Sequence, residues 1–115
     1  MFSFFRKSSS AIKIVDPSLV MDWVREGSAV IVDVREPGEW AQGHIPGAVL
    51  VPLSTFDPTK VPAVAEGQHL VFHCQSGRRC DPASKQMAAA GFKGGINRLA
   101  GGFMGWKGAG GAVAL

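Results

Sequence analysis

The length, composition and charge of the chain limit the kinds of protein it can encode. It has 115 residues, a formal net charge of +3 at pH 7 and two cysteines. This length suits one domain with its own core, and two closely spaced cysteines indicate reduced thiols, which favours the cytoplasm. The mild charge includes no long basic run, so nucleic acid is not an expected partner. No apolar stretch approaches the roughly 20 residues of a membrane span, so we expect neither a stable membrane span nor export.

The first part of the chain predicts a strand followed by a helix. Met1–Ser10 are expected to form a flexible N-terminal segment, and Ile12–Val15 has the pattern of a short strand. Asp16 and Pro17 suit the N-cap and first position of a helix that Gly27 ends. The expected apolar face of this helix carries Leu19, Val20, Trp23 and Val24.

The middle of the chain predicts two strands and a long connection. Ala29–Val34 is apolar apart from one aspartate, as in a parallel strand that is buried on both faces. A helical turn at Glu36–Gln42 and a brief strand at Gly47–Leu53 are expected next. Ser54–Gln68 is rich in proline and glycine, which predicts a loop with one helical turn around Val61–Ala65.

The last part of the chain predicts two more strands around a helix. The strands are expected at Leu70–His73 and Gly95–Leu99, and the helix at Asp81–Ala90. Strands that alternate with helices indicate an α/β fold with a mostly parallel sheet and helices on both faces. We expect one domain over residues 11–108 and a flexible tail, rich in glycine and alanine, over 109–115.

The segment His73–Cys80 is the most informative part of the sequence. It follows a buried strand and leads into a helix, so Cys74 falls at the carboxyl end of the strand. Inward-pointing backbone N–H groups of such a turn and the helix dipole both favour a thiolate. Arg78 and Arg79 should lower the pKa of this thiol below its usual value of roughly 8.5. Cys74 is therefore predicted to be a nucleophile in an anion-binding loop rather than an inert buried cysteine.

Three segments of the chain, in this order, resemble the rhodanese family of sulfurtransferases. The first consists of Val32–Trp40 followed by Gly43–Ala48, the second is His73–Cys80, and the third is Leu99–Trp106. The resemblance extends over Ile12–Lys107. It implies a single rhodanese-like domain with a central, mostly parallel five-stranded sheet and helices on both faces.

The resemblance also implies a function, that of a thiosulfate or persulfide sulfurtransferase. Cys74 would be the catalytic residue, which attacks a sulfane sulfur, holds it as a persulfide and passes it to an acceptor. Thiosulfate would be a donor, and cyanide, a low-molecular-weight thiol or a protein thiol would be the acceptor; no metal and no organic cofactor is implied. The residues expected to bind the substrate are Gln75, Ser76, Gly77, Arg78 and Arg79. The second arginine is the better candidate to face the pocket, because it closes the six-residue loop.

Five other residues are expected to support the site. Asp33 and Arg35 lie where a buried strand ends, and a buried carboxylate needs a partner, so an ion pair or hydrogen bonds should tie the strand ends together. His44 is expected to be a scaffold element rather than an acid or base. Trp106 is expected to close a pocket wall or a core patch. Cys80 stands where the resembling proteins commonly have serine or threonine. It is either a conservative replacement or a redox partner that forms a disulfide with the catalytic cysteine.

Other interpretations stay open on the sequence alone. The rhodanese-like fold resembles that of dual-specificity phosphatases and arsenate reductases, whose catalytic cysteine lies in a loop with the pattern Cys-x5-Arg. Counted from Cys74, that arginine position is Cys80. A noncatalytic interaction or sulfur-carrier module is a second alternative, which the intact cysteine and two arginines disfavour. A cysteine-protease dyad with His44 or His69 has only the residue types in its favour.

We expect no useful hydrolysis of aryl phosphates by this protein. The loop is one residue short and the clamping arginine is replaced by Cys80, so too few donors converge on a phosphoryl group. Release of the phenol should be measured beside sulfur transfer to cyanide, with Cys74→Ser as the blank. Phosphate hydrolysis at a rate comparable with sulfur transfer would overturn the argument from loop length.

Overall fold

The computed structural model describes residues 11–76 and 80–115, which form a five-stranded parallel sheet with helices on both faces. The predicted α/β architecture is therefore confirmed. The strands are β1 (Ile12–Val15), β2 (Ala29–Asp33), β3 (Val49–Leu50), β4 (His69–His73) and β5 (Ile96–Leu99). The helices are α1 (Pro17–Glu26), α2 (Pro37–Ala41), α3 (Cys80–Ala89) and α4 (Gly102–Gly108). Residues 1–10 and 77–79, with the predictions made for them, lie outside the described residues.

The sheet separates two hydrophobic clusters because successive side chains of a strand point to opposite faces. In β4, Leu70 and Phe72 enter one cluster and Val71 enters the other. The first, here called the α3-side cluster, includes Cys80, Ala83 and Met87 of α3. The second, the α1-side cluster, includes Val20 of α1 and Phe103 and Trp106 of α4. The central strands are thus buried on both faces, which explains their unbroken apolar sequences.

The order of the strands creates a crevice above β2 and β4. The order across the sheet is β1-β5-β4-β2-β3. From β2 the chain continues to β3 on one side, and from β4 it continues to β5 on the other side. Connections that diverge in this way open a ligand-binding crevice at the carboxyl ends of parallel strands. Arg35 and Cys74 both follow these two strand ends.

Three local predictions are wrong in detail. The expected helical turn at Val61–Ala65 does not form; two short 3-10 turns lie earlier, at Leu53–Thr55 and Pro58–Lys60, where prolines fix the backbone. The segment predicted as a strand over Gly47–Leu53 pairs only at Val49–Leu50. The apolar face of α1 is narrower than expected, because Leu19 and Val24 are 39% and 40% exposed while Val20 is fully buried.

The segment after α4 has specific contacts. His44 and Ala114 form an antiparallel bridge through two N–H···O bonds of 2.9 and 2.8 Å. Trp106 Nε1 donates to the carbonyl oxygen of Ala112 at 2.8 Å. These bonds hold the tail against the connection between α2 and β3, and its flexibility stays a prediction. Among the described residues, no helix has the length and apolar character needed to cross a membrane.

Candidate active site

Cys74 lies directly after β4 and is 1% exposed. Its carbonyl oxygen accepts a hydrogen bond of 2.7 Å from the N–H of Phe103, and the carbonyl of Gln75 accepts one of 3.1 Å from Met104. Both donors belong to the first turn of α4, where the N–H groups have no partner within the helix. The first N–H groups of α4 therefore find acceptors in the cysteine loop, the segment that begins at Cys74, and the carbonyls of that segment find donors in α4.

This contact requires glycine at the first position of α4. Gly102 has a φ of +59°, which side-chain-bearing residues rarely adopt. A Cβ atom there would lie 2.5 Å from the carbonyl oxygen of Cys74 and 2.8 Å from that of Gln75. The preceding Gly101 also has a positive φ, of +70°. The two glycines let α4 approach the cysteine loop closely.

A buried ion pair lies beside the loop, at the end of β2. Arg35 Nη2 contacts Asp33 Oδ2 at 2.8 Å, and Arg35 Nε donates to Asp33 Oδ1 at 3.0 Å. The backbone N–H of Arg35 donates to the same Oδ1 at 2.9 Å. The two side chains are 2% and 0% exposed. The ion pair expected at this strand end is thus present.

The same guanidinium group connects three other parts of the site. Arg35 Nη1 donates to Gln75 Oε1 at 3.2 Å, and Nη2 donates to the carbonyl oxygen of Gly43 at 2.7 Å. The guanidinium carbon also lies 4.2 Å from the centre of the Phe103 ring, a cation–π distance. Arg35 therefore positions the side chain that follows Cys74.

A pocket of about 330 Å³ opens next to Gln75. It is lined by Arg35, Glu39, Gln42, Gly43, Gln75, Phe103 and Lys107. Lys107 lies 5.2 Å from the centre of the Phe103 ring. Two cations and one carboxylate thus surround a space beside the cysteine loop, and this charge pattern suits a small anion.

The second cysteine is in direct contact with the first. Cys80 is fully buried at the start of α3, and its side chain hydrogen-bonds that of Cys74. This hydrogen bond, burial and the negative charge of Cys74 together raise the pKa of the Cys80 thiol far above its ordinary value. Cys80 therefore keeps its proton at neutral pH.

His73 occupies the opposite side of the sheet from the thiols. Its Nε2 lies 3.5 Å from Asp33 Oδ2, its Nδ1 lies 3.2 Å from the carbonyl oxygen of Cys74, and its ring is near Phe103. Burial lowers the pKa of His73, although the Asp33 charge opposes this shift. Strand alternation turns this ring away from the thiols.

The remaining candidate residues have varied surroundings. His44 stacks on Trp40 with ring centres 3.7 Å apart, and its Nδ1 lies 3.1 Å from the Trp40 carbonyl oxygen, which fits a scaffold role. Trp106 is 3% exposed and belongs to the core patch of the α1-side cluster. Ser76 is exposed on the loop. The substrate-binding candidates Gly77, Arg78 and Arg79 lie outside the described residues.

Sequence reasoning missed α4 and the pocket residues that it carries. Phe103 and Lys107 line the pocket, and Gly43 supplies the carbonyl that holds Arg35. Two adjacent glycines before an apolar pair three residues apart, Phe103 and Trp106, were the available signal for a helix with a tight N-terminal approach. Gly43 belongs to the first motif of the family resemblance, but nothing in the sequence indicated that its carbonyl binds Arg35.

The chain belongs to the rhodanese-like domain family, since the model of that family matches residues 16–109. The fold is also that of a rhodanese-related protein from Thermoplasma volcanium. The two structures superpose with a TM-score of 0.74 and 22% sequence identity, over 90% of this chain and 98% of that one.

Two curated relatives are similar in sequence. An uncharacterised protein of Synechocystis is 38% identical over 84% of this chain, which spans 52% of that protein's length. A protein named sulfurtransferase from Allochromatium vinosum is 32% identical over 67% of this chain and 70% of its own length. The chain thus spans about half of the Synechocystis relative and more of the sulfurtransferase.

Replacing Gly102 with alanine should destabilise the protein by about 2 kcal/mol, because the residue would be strained and its Cβ would press on the Cys74 carbonyl. The free energy of unfolding from urea titration measures this cost. Gly108→Ala, in the last turn of the same helix with open space around its Cβ, is the matched control and should be neutral or slightly stabilising. Equal stability of the two variants would contradict the close-approach argument.

The buried His73 should make the protein less stable as the pH falls below about 6.5. The unfolded chain then protonates this histidine while the folded protein resists protonation, so the unfolding free energy drops by up to about 1.4 kcal/mol per pH unit. Urea titrations between pH 7 and 5 should show a shallower loss for His73→Asn than for wild type. His69→Asn is the comparison variant. An unchanged slope in His73→Asn would show that other groups cause the loss.

Proposed function

We propose that the protein is a sulfurtransferase that moves a sulfane sulfur from thiosulfate or a persulfide donor to a thiophilic acceptor through a Cys74 persulfide. The observation that carries this proposal is the position of Cys74 at the carboxyl end of β4, directly before Gln75, which lines a pocket with two cations. The family and the sulfurtransferase relative support the reaction class. Cyanide and small or protein thiols are the proposed acceptors.

The first half of the reaction loads the cysteine. The Cys74 thiolate attacks the outer sulfur of thiosulfate and forms a new S–S bond. The original S–S bond breaks, and sulfite leaves with the bonding electron pair. The product is a persulfide whose outer sulfur carries the negative charge.

The second half transfers the sulfur. A nucleophilic acceptor, cyanide or a thiolate, attacks the outer sulfur, and the Cys74 thiolate leaves with the electron pair. Cys80 favours this step because its thiol hydrogen-bonds the Cys74 sulfur and so stabilises the thiolate as a leaving group. No metal or organic cofactor takes part in the proposed steps.

The electrostatic surroundings suit an anionic donor. Arg35 and Lys107 line the pocket beside Gln75, although Asp33 already balances much of the Arg35 charge. From the sequence, Arg78 and Arg79 are proposed to add cationic contacts to the donor, with Gln75, Ser76 and Gly77 completing the loop. Cys74 is a thiol rather than half of a disulfide, which also fits a reducing compartment such as the cytoplasm.

Replacing Cys74 with serine should reduce sulfur transfer from thiosulfate to cyanide by more than about 10³-fold, since a hydroxyl neither ionises near neutral pH nor forms a persulfide. Thiocyanate formation measures the rate, and thermal unfolding checks that the serine variant keeps its fold. Intact mass after thiosulfate treatment provides a second measurement, in which only the wild type should gain one sulfur atom that cyanide removes.

Two results would argue against the proposal. Wild-type turnover by Cys74→Ser would exclude a persulfide at this residue. A wild type that gains sulfur but returns it to cyanide no faster than free cysteine persulfide does would instead indicate a sulfur carrier, the noncatalytic alternative.

A further inference from the structure

The sulfur-transfer reaction uses one thiol, but the site contains two. Cys74 and Cys80 are both buried in the α3-side cluster, and their side chains are hydrogen-bonded. The backbone N–H of Cys74 also hydrogen-bonds the Cys80 sulfur. Two reduced cysteines in such contact are a dithiol, which has a second oxidation state, the disulfide.

The two thiols differ in reactivity while the site is empty. The Cys80 thiol holds its proton because it donates to an anionic neighbour inside the core. A thiol is a far weaker nucleophile than a thiolate, so Cys74 alone reacts with an incoming sulfur donor. Cys80 does not compete for the donor.

The buried position of Cys80 suits an attack on Cys74 from within the core. Cys80 is fully buried and approaches Cys74 from α3, within the core. In the proposed reaction a sulfane sulfur comes from the solvent side. Displacement at a sulfur atom needs an in-line approach, and an attack by Cys80 from the core would be opposite to that side.

We propose that Cys80 is a resolving cysteine, which attacks the inner sulfur of the Cys74 persulfide and releases the outer sulfur as hydrosulfide. The proposal rests on the proposed function, because it needs the persulfide. The sulfane sulfur then has two exits, transfer to an acceptor or release in reduced form.

The step balances without an external oxidant. A bond forms between the sulfurs of Cys80 and Cys74, and the bond between Cys74 and the outer sulfur breaks. The outer sulfur leaves with that electron pair and takes the proton of Cys80, which gives hydrosulfide. The two cysteines are oxidised to a disulfide, and the sulfane sulfur is reduced. A dithiol reductant restores both thiols by thiol–disulfide exchange.

The change in charge on Cys74 explains why the step follows loading. In the empty site the Cys74 sulfur is anionic and repels a second thiolate. After loading, the negative charge lies on the outer sulfur and the inner sulfur becomes an electrophile. The two cysteine sulfurs then need only close from hydrogen-bond contact to the disulfide length of about 2.05 Å.

The test compares the wild type with Cys80→Ser, in which a hydroxyl replaces the resolving thiol with little change in size. Each protein is treated with thiosulfate and separated from it by gel filtration. Intact mass and free hydrosulfide are then followed without reductant. In the wild type the added sulfur should disappear while one equivalent of hydrosulfide is released and the chain becomes two hydrogen atoms lighter than the dithiol. Cys80→Ser should keep the added sulfur and lose hydrosulfide release.

Two further variants complete the experiment. Cys80→Ala should behave like Cys80→Ser and replaces it if the hydroxyl disturbs the core. Ser84→Ala lies one turn further along α3, is also buried and keeps both thiols, so it should release hydrosulfide like the wild type. A peptide with Cys74 and Cys80 linked, which dithiothreitol separates, would identify the disulfide.

The outcomes separate this proposal from the one on which it rests. A persulfide that is equally stable in wild type and Cys80→Ser overturns the resolving role and leaves the sulfurtransferase proposal intact. Equal hydrosulfide release by Cys80→Ser also overturns it. If neither the wild type nor any of these variants gains sulfur, the sulfurtransferase proposal fails and this one fails with it.

Discussion

The buried guanidinium group of Arg35 is the contact on which the geometry of the site depends. It pairs with Asp33 at the end of β2, holds the carbonyl of Gly43, and reaches Gln75 next to Cys74. Water cannot replace these partners at a side chain that is 2% exposed. In proteins generally, removing one partner of such a buried pair costs about 3–5 kcal/mol, because the other charge stays uncompensated. One side chain therefore connects two strand ends and a connecting loop to Gln75, the residue after Cys74.

On the side that faces α4, Cys74 and Gln75 are held by backbone hydrogen bonds rather than by a charged side chain. The first N–H groups of α4 bind the carbonyls of Cys74 and Gln75, and Gly102 makes this approach sterically possible. Cys74 and Gln75 are thus held from two sides, by Arg35 and by α4, and the Phe103 ring lies against the guanidinium group and joins the two. The Cys74 thiol is therefore held in a defined place, because the carbonyls of Cys74 and Gln75 and the side chain of Gln75 all have fixed partners.

The sequence was sufficient for the parts of the structure that follow from periodicity and turn chemistry. The apolar sequences of β2 and β4 predicted buried parallel strands, and Asp33 with Arg35 predicted an ion pair, because a buried carboxylate needs a partner. What it could not supply depends on contacts distant in sequence. The helix at Gly102–Gly108 forms where a glycine pair meets carbonyls of the cysteine loop, and the carbonyl of Gly43 carries no residue-type signal at all. The prediction of a helical turn at Val61–Ala65 was wrong because the prolines stabilise 3-10 turns earlier in the connection.

The contact between the two thiols shows how one substitution can add chemistry without altering the fold. A hydroxyl at position 80 would donate a hydrogen bond to the Cys74 sulfur, and a protonated thiol does the same while Cys74 is anionic. The difference arises only after sulfur is loaded, since a thiol can form a bond to the inner sulfur and a hydroxyl cannot. Because Cys80 is buried and its pKa is raised, this second nucleophile is protected from solvent-borne electrophiles while the site is empty. In the proposed reaction its reactivity is therefore coupled to the state of its neighbour, which a more exposed cysteine with an ordinary pKa would not achieve.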